Sequence, residues 1–300
     1  MIVEDNIPEV VELFQARQVK LYHACQLQDF EAYLNIEGIP SRKRLEETKR
    51  SFTPFITDEV DRVNGVWDKV FVNLADFGRT FANGGGATPN TYGPILLVIN
   101  PAALSEANDI AITLRSAGAS DFNREKESLA NLEEVDRLFV NPMDSPGPTA
   151  AFIKFKEALR KDFHSPKATN PEINCTFPEG ALPLRYIESI VVDPYDFRIF
   201  EGETLQTFVF YMMKSHNLRC ELKRRFCKCD SRVALYNEIL GTVFGEEITF
   251  QKILSSEKSS TEMKRWIEQM QQFNLEYQFS RFANYLQEGT IYPVLSMINC

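Results

Sequence analysis

Residues 166–193, Pro166-Lys-Ala-Thr-Asn-Pro-Glu172-Ile-Asn-Cys-Thr-Phe177-Pro-Glu-Gly180-Ala-Leu-Pro-Leu-Arg-Tyr-Ile-Glu-Ser-Ile-Val-Val-Asp193, hold the pattern from which the rest of the chain is read. A loop rich in Pro and Asn delivers one carboxylate, Glu172, to the start of a strand predicted over 173–177. A Pro-Glu-Gly turn follows, then a helical turn over 182–188 and a second strand over 189–193. A Glu that opens a strand is ordinarily solvated. What makes this one a candidate is a second stretch near the N-terminus, Leu21-Tyr22-His23, that suits it as a partner.

Working outward, the clearest strand is 92–100. It is apolar on both faces from Ile95 to Ile99, so it is expected at the centre of a sheet. Further strands are expected at 21–25, 70–74 and 111–114. The first helix is expected over 8–20, with Val10, Val11, Phe14 and Val19 as its apolar stripe. A second turns Leu27, Phe30, Tyr33, Leu34 and Ile36 inward and ends on Gly38 as its closing glycine. Residues 39–45 read as a loop that enters a polar helix, and residues 50–69 read as irregular. Residues 125–139 read as one helix and 150–163 as another. The glycine-rich loop at 78–90 contains Gly84-Gly85-Gly86 but neither phosphate-binding glycine fingerprint.

After Pro194 the pattern becomes helical, over 203–219, 231–243, 248–255 and 260–288. The expected organisation is therefore α+β: a split, mixed and mainly antiparallel core of about six strands with flanking helices. A helical domain is appended to it. The boundary is placed near residue 198, giving a catalytic unit over 1–198 and a helical unit over 199–300. No internal repeat is found.

Composition narrows the function classes. Across 300 residues, 44% hydrophobic and 25% charged content is ordinary for a globular chain. Apolar runs such as Ile95 to Ile99 are far too short to span a bilayer, and the N-terminus has no basic and apolar signal pattern. A cytoplasmic protein without a membrane partner is expected. Six cysteines at 25, 175, 220, 227, 229 and 300 make no small disulfide framework.

The net charge of −9 resides in residues 1–200, which carry 21 Lys/Arg against 30 Asp/Glu, while residues 201–300 carry twelve of each. An acidic body argues against broad duplex binding. The basic strip from Lys214 to Arg232 suits either a short single strand or a solvated helix face.

Taken together, these pieces resemble the DarT-type ADP-ribosyltransferases over roughly residues 20–195. Three segments carry the resemblance: Leu21-Tyr22-His23 with its following helix and Gly38-Ile39, Arg62-Val-Asn-Gly-Val-Trp-Asp-Lys-Val-Phe-Val-Asn-Leu74, and Glu172-Ile173-Asn-Cys with 182–193 behind it. The resemblance implies NAD⁺ as ADP-ribose donor and a base of single-stranded DNA as acceptor. The more remote toxin CmdT implies RNA instead. It also implies a toxin role in antiphage defence and an antitoxin partner. The middle strand lacks the Tyr-rich ending of DarT and the glycine loop looks like an insertion, which leaves the acceptor open. A protein acceptor, or a shell that binds NAD⁺ without turnover, are the alternatives.

The chemistry implied needs few groups. Cleavage of a nicotinamide–ribose bond develops positive charge on the ribose, as glycosidic cleavage does. One carboxylate can stabilise that charge and take the acceptor's proton. The resemblance selects Glu172 for this duty, facing one groove with His23, whose imidazole would reach a ribose hydroxyl. Tyr22, alternating away from His23, is expected in the core. Arg62 is the second catalytic candidate, through the pyrophosphate or the acceptor's proton. Ser41, Arg42 and Arg44 are placed at the adenosine half, Tyr92 against the nicotinamide, and Arg115 at a phosphate. His216, Cys220, Cys227 and Cys229 have zinc-ligand types but not the usual spacing, so no metal is assigned.

Overall fold

The computed structural model describes residues 6–50, 52–53, 58–76, 78, 90, 93–139, 163–164, 170–193 and 205–225, with isolated positions between 254 and 268. Helix α1 is Ile7–Ala16, β1 is Leu21–Cys25, α2 is Leu27–Ile36, β2 is Gly38–Pro40, α3 is Arg42–Glu47, α4 is Asp58–Val63 and β3 is Val70–Asn73. Then come β4 (Ile95–Ile99), a 3₁₀ turn (Pro101–Glu106), β5 (Asp109–Thr113), α5 (Arg124–Glu127) and α6 (Leu132–Asp136). Strands β6 (Glu172–Thr176), β7 (Ala181–Pro183) and β8 (Ile187–Val192) precede α7 (Leu205–Ser215) and β9 (Glu221–Arg224).

The fold is α+β, a sheet flanked by helices. Seven strands run in the order β5-β6-β3-β1-β4-β8-β9, and β2 pairs with β7 in a two-stranded ladder. Two compact units are present, Met1–His23, Ala32–Asp76 and Leu97–Ser189 in the first, Ala24–Glu31, Phe77–Leu96 and Ile190–Cys300 in the second.

Three antiparallel strands of the first unit set up the site. Their register aligns Val70 with Cys175 and Ile110, and Val72 with Ile173 and Ile112. All six side chains are at most 1% exposed. Alternation puts the intervening residues on the opposite face, which carries the polar groups: Asn174 between Phe71 and Ala111, then Asn73 with Glu172 and Thr113. Burying each Val or Ile is worth about 1.5–3 kcal/mol, and a one-residue slip would turn all six outward. The apolar pattern of β3, β5 and β6 therefore fixes where the polar row lies.

Several expectations are corrected. Residues 50–69 are not wholly irregular, because α4 forms there with Asp58, Glu59 and Asp61 in its first turn. The single helix expected over 125–139 is two. Asn131 caps α6 by accepting the Glu134 N–H, and between the helices Ser128 bridges to Thr113 of β5. That bridge covers the outer edge of β5. The left-handed residue after α2 is Glu37 (φ 60°), not Gly38. Gly38 instead lies in β2, where a Cβ would stand 2.8 Å from the Ala181 Cβ. The turn expected over 182–188 divides among β7, a 3₁₀ turn at Leu184–Tyr186 and β8. Strand β9 lies beyond residue 198, in the gap between the helices expected over 203–219 and 231–243, so the unit expected to be helical also holds a strand. The helices expected at 150–163, 231–243, 248–255 and 260–288 lie essentially outside the described residues.

Candidate active site

Glu172 is the first residue of β6 and only 6% exposed. The Ala117 N–H donates to its Oε1 at 3.0 Å, and the Thr113 hydroxyl, which donates to the Arg115 carbonyl at 2.8 Å, lies 3.3 Å from the Glu172 backbone carbonyl. Burial pushes its carboxyl up to about 7; the Ala117 N–H opposes the rise, the Asp61 charge adds to it and the Ser116 hydroxyl opposes it. A carboxyl held there exists as acid and carboxylate in comparable amounts near neutral pH, so it can accept or return a proton.

Asp61, on α4, is the second carboxyl of this neighbourhood. Burial pushes it up to about 6, with the Asp58 charge adding to the rise and Arg42 opposing it. Its Oδ1 lies so close over Gly118 that a Cβ there would meet it at 2.0 Å. The neighbouring Asn64 side chain donates to the Ala117 and Ala119 carbonyls at 2.8 and 3.3 Å. The end of α4 is thus docked on the same loop whose Ala117 N–H holds Glu172.

Two amides share the polar face with Glu172. Asn73 is paired across from it, and Asn174 lies two residues along β6. Asn73 Oδ1 and Asn174 Nδ2 are both buried without a hydrogen-bond partner. A buried polar atom left so costs about 1–3 kcal/mol. Two beside one buried carboxyl mark a place for a ligand with hydroxyl or amide groups.

The residues expected from the sequence are distributed as follows. The Tyr22–Asn73 pair puts Tyr22, not His23, in the Glu172 row. His23 stands one position off it, a reversal of the expected alternation. Its Nδ1 lies 2.7 Å from the Phe71 carbonyl and its Nε2 3.0 Å from the Tyr33 hydroxyl. Burial lowers its pKa to about 4, the Phe71 hydrogen bond opposing and the Arg42 charge adding. The ring is therefore neutral at pH 7, with Nδ1–H donating to Phe71 and Nε2 accepting from Tyr33. The Arg42 charge acts on both His23 and Asp61, and the Asp61 charge acts on Glu172.

Arg62 turns to the surface. Its guanidinium lies 3.7 Å over the Trp67 ring and pairs with Glu46. Arg115 is saturated by carboxylates, 2.8 Å from Glu127 and 2.6 Å from Asp121, and it also donates to the Asp121 carbonyl. It braces the loop that carries Ala117. Ser41 caps α3 by accepting the Arg44 N–H at 3.2 Å. Arg44 lines two clefts with Phe177 and Glu179, and its Nε is buried without a partner. Tyr92 lies outside the described residues, as do Cys227 and Cys229. Among the described residues no cluster of His, Cys, Asp or Glu is arranged to hold a metal, and no helix is long and apolar enough to cross a membrane.

Sequence reasoning assigned no role to Asp61, Asn73, Asn174 or the Ala117 N–H. A signal existed for Asn174, since Glu172-x-Asn174-x-Thr176 places polar groups on alternate strand positions. None existed for Asp61, whose role depends on docking.

Among solved structures, those similar to this chain include DarT proteins. The chain is similar in fold to DarT of Thermus sp. 2.9 in complex with NAD⁺, with 17% identity and a TM-score of 0.38 over 69% of this chain and 95% of that one. The same protein in complex with ADP-ribosylated single-stranded DNA matches at 15% identity and TM-score 0.41, over 69% and 94%. Thermosipho africanus DarTG in complex with ADP-ribose matches at 13% and 0.37, over 69% of this chain and half of that one. No family model matches the chain, and no curated protein does.

Proposed function

We propose that the protein is an NAD⁺-dependent mono-ADP-ribosyltransferase that modifies a base of single-stranded nucleic acid, with Glu172 as its central catalytic group. The observation that carries this reading is the buried Glu172 carboxyl, held by one backbone N–H with its pKa brought to about 7 and flanked by two unpartnered amides. The sequence motifs at 21–23, 62–74 and 172–175 point to the same chemistry.

The residues present fit NAD⁺ as donor substrate. It supplies an electrophilic ribose carbon with nicotinamide as leaving group. Asn73, directly across from Glu172, would hold a hydroxyl or carboxamide of the donor. The Glu172 carboxylate would hydrogen-bond the ribose, stabilise its developing positive charge and take the proton of the attacking base nitrogen. One glycosidic bond breaks, one forms, and one proton leaves, so donor and acceptor become ADP-ribosylated base, nicotinamide and H⁺. Asp61 acts on this group from outside, its charge adding to the rise in the Glu172 pKa that burial causes. His23 would serve by fixing Tyr33 and the β3 backbone at Phe71. Partnership with an antitoxin and a role in antiphage defence follow from the same reading.

The test is incubation with NAD⁺ and single-stranded DNA or RNA, followed by mass spectrometry of the recovered nucleosides. The expected result is an ADP-ribose increment on one nucleoside that is absent with Glu172→Gln. Modification found only on protein would overturn the acceptor assignment. No product on any acceptor would overturn the transferase reading.

A further inference from the structure

A cavity of about 560 Å³ opens on the polar face of β5 and β6, a size within the roughly 300–1,000 Å³ range of small-molecule sites. We propose that it seats the acceptor, a single unstacked nucleic-acid base lying against Phe122 with its polar edge read by Asn174. The proposal deepens the transferase reading and rests on it for the identity of the acceptor.

Four observations converge. The floor is built for a flat ligand, because Ala111 is paired directly beside Asn174 and raises nothing above its Cβ. Phe122, half-buried on the loop after β5, supplies an aromatic face. Base–aromatic stacking is worth about 1–3 kcal/mol and tolerates any base. Asn174 lines the cavity, is 4% exposed, and has an Nδ2 with no partner. Whichever way its amide is turned, it offers one donor and one acceptor side by side, the pattern that the edge of a base matches and a phosphate does not. Arg124 stands exposed at the rim, its guanidinium donating to the Asn64 carbonyl at 2.9 Å, where the sugar–phosphate of an extruded nucleotide would pass.

The cavity also stands in the right relation to Glu172. Thr113 lines it and is paired with Glu172, and paired residues on one face have side chains about 5 Å apart. Ala117 lines it too, and its N–H holds the carboxylate. A base seated there therefore lies beside the group that would take its proton. A base in a duplex cannot enter, which selects single-stranded or extruded nucleotides.

The experiment uses the full chain without NAD⁺, titrated into fluorescently labelled single-stranded DNA and RNA homopolymers of each of the four bases, with anisotropy as readout. Phe122→Ala is expected to weaken binding of all four by about tenfold, in line with the loss of one stack. Asn174→Ala is expected to level the preference among the four. Melting curves establish that both variants fold, and Phe122→Ala lies on a loop outside the core, so at least one variant reports. Wild-type affinity and preference in both variants would overturn the proposal, as would a wild-type chain that binds none of the strands. The two readings separate cleanly. Base-selective binding lost in these variants, in a chain that never releases nicotinamide from NAD⁺, keeps the pocket and removes the transferase. Nucleic-acid modification with unchanged binding in both variants does the reverse.

Discussion

Glu172→Gln is expected to make the protein more stable and inactive, and the stability gain has a definite pH dependence. The ordinary carboxyl pKa of 4.5 is raised to about 7 in the fold. Below pH 4.5 the side chain is protonated in both folded and unfolded chains and costs nothing. Between 4.5 and about 7 the unfolded chain gives up its proton while the folded chain keeps it, so stability falls as pH rises. Above 7 the full penalty is present. At about 1.4 kcal/mol per tenfold it reaches about 3 kcal/mol. Glutamine is isosteric, cannot ionise, and its carbonyl still accepts from Ala117. Thermal melts of both proteins from pH 4.5 to 8.5 should show coincident transitions at the acid end. The variant should lead by about 6–12 °C at pH 8, taking 2–4 °C per kcal/mol for a domain of this size. Product formation should fall by about 10²–10⁴-fold at every pH. Equal melting at pH 8, or an offset that does not change with pH, would refute the claim that Glu172 is buried and ionised at a cost.

Asp61→Asn removes the charge that helps hold Glu172 high, so the acid limb of the pH–rate profile should move to lower pH; an unmoved limb would disconnect the two carboxyls. Gly118→Ala places a methyl group against Asp61 and should lower activity by tenfold or more, as the Asp61 carboxylate must rotate away, while costing about 1–3 kcal/mol of stability by urea titration. Arg62→Ala should leave the reaction rate within about threefold of wild type, because its guanidinium serves Glu46 and Trp67, with at most about 1 kcal/mol of stability lost. Tyr33→Phe should cost about 1 kcal/mol by removing the hydroxyl donor to His23, read as a lower urea midpoint.

The sequence by itself determined the local elements that bear the site. The run Ile95 to Ile99, apolar at every position, could only be an inner strand, and it lies between β1 and β8. The alternation in 172–176 determined a strand with one apolar and one polar face, and the motif likeness singled out Glu172 within it. Periodicity is a local property, so it is legible without coordinates. Tertiary structure decided what each polar group meets. Only strand register shows that Tyr22 rather than His23 shares the Glu172 row, and that Asn73 and Thr113 flank the carboxyl. Only docking of α4 on the 115–121 loop brings Asp61 to Glu172 from more than a hundred residues away, while its neighbour Arg62 turns outward onto Trp67. A carboxyl's pKa depends on its burial and on the charges around it, and neither exists until distant segments have packed.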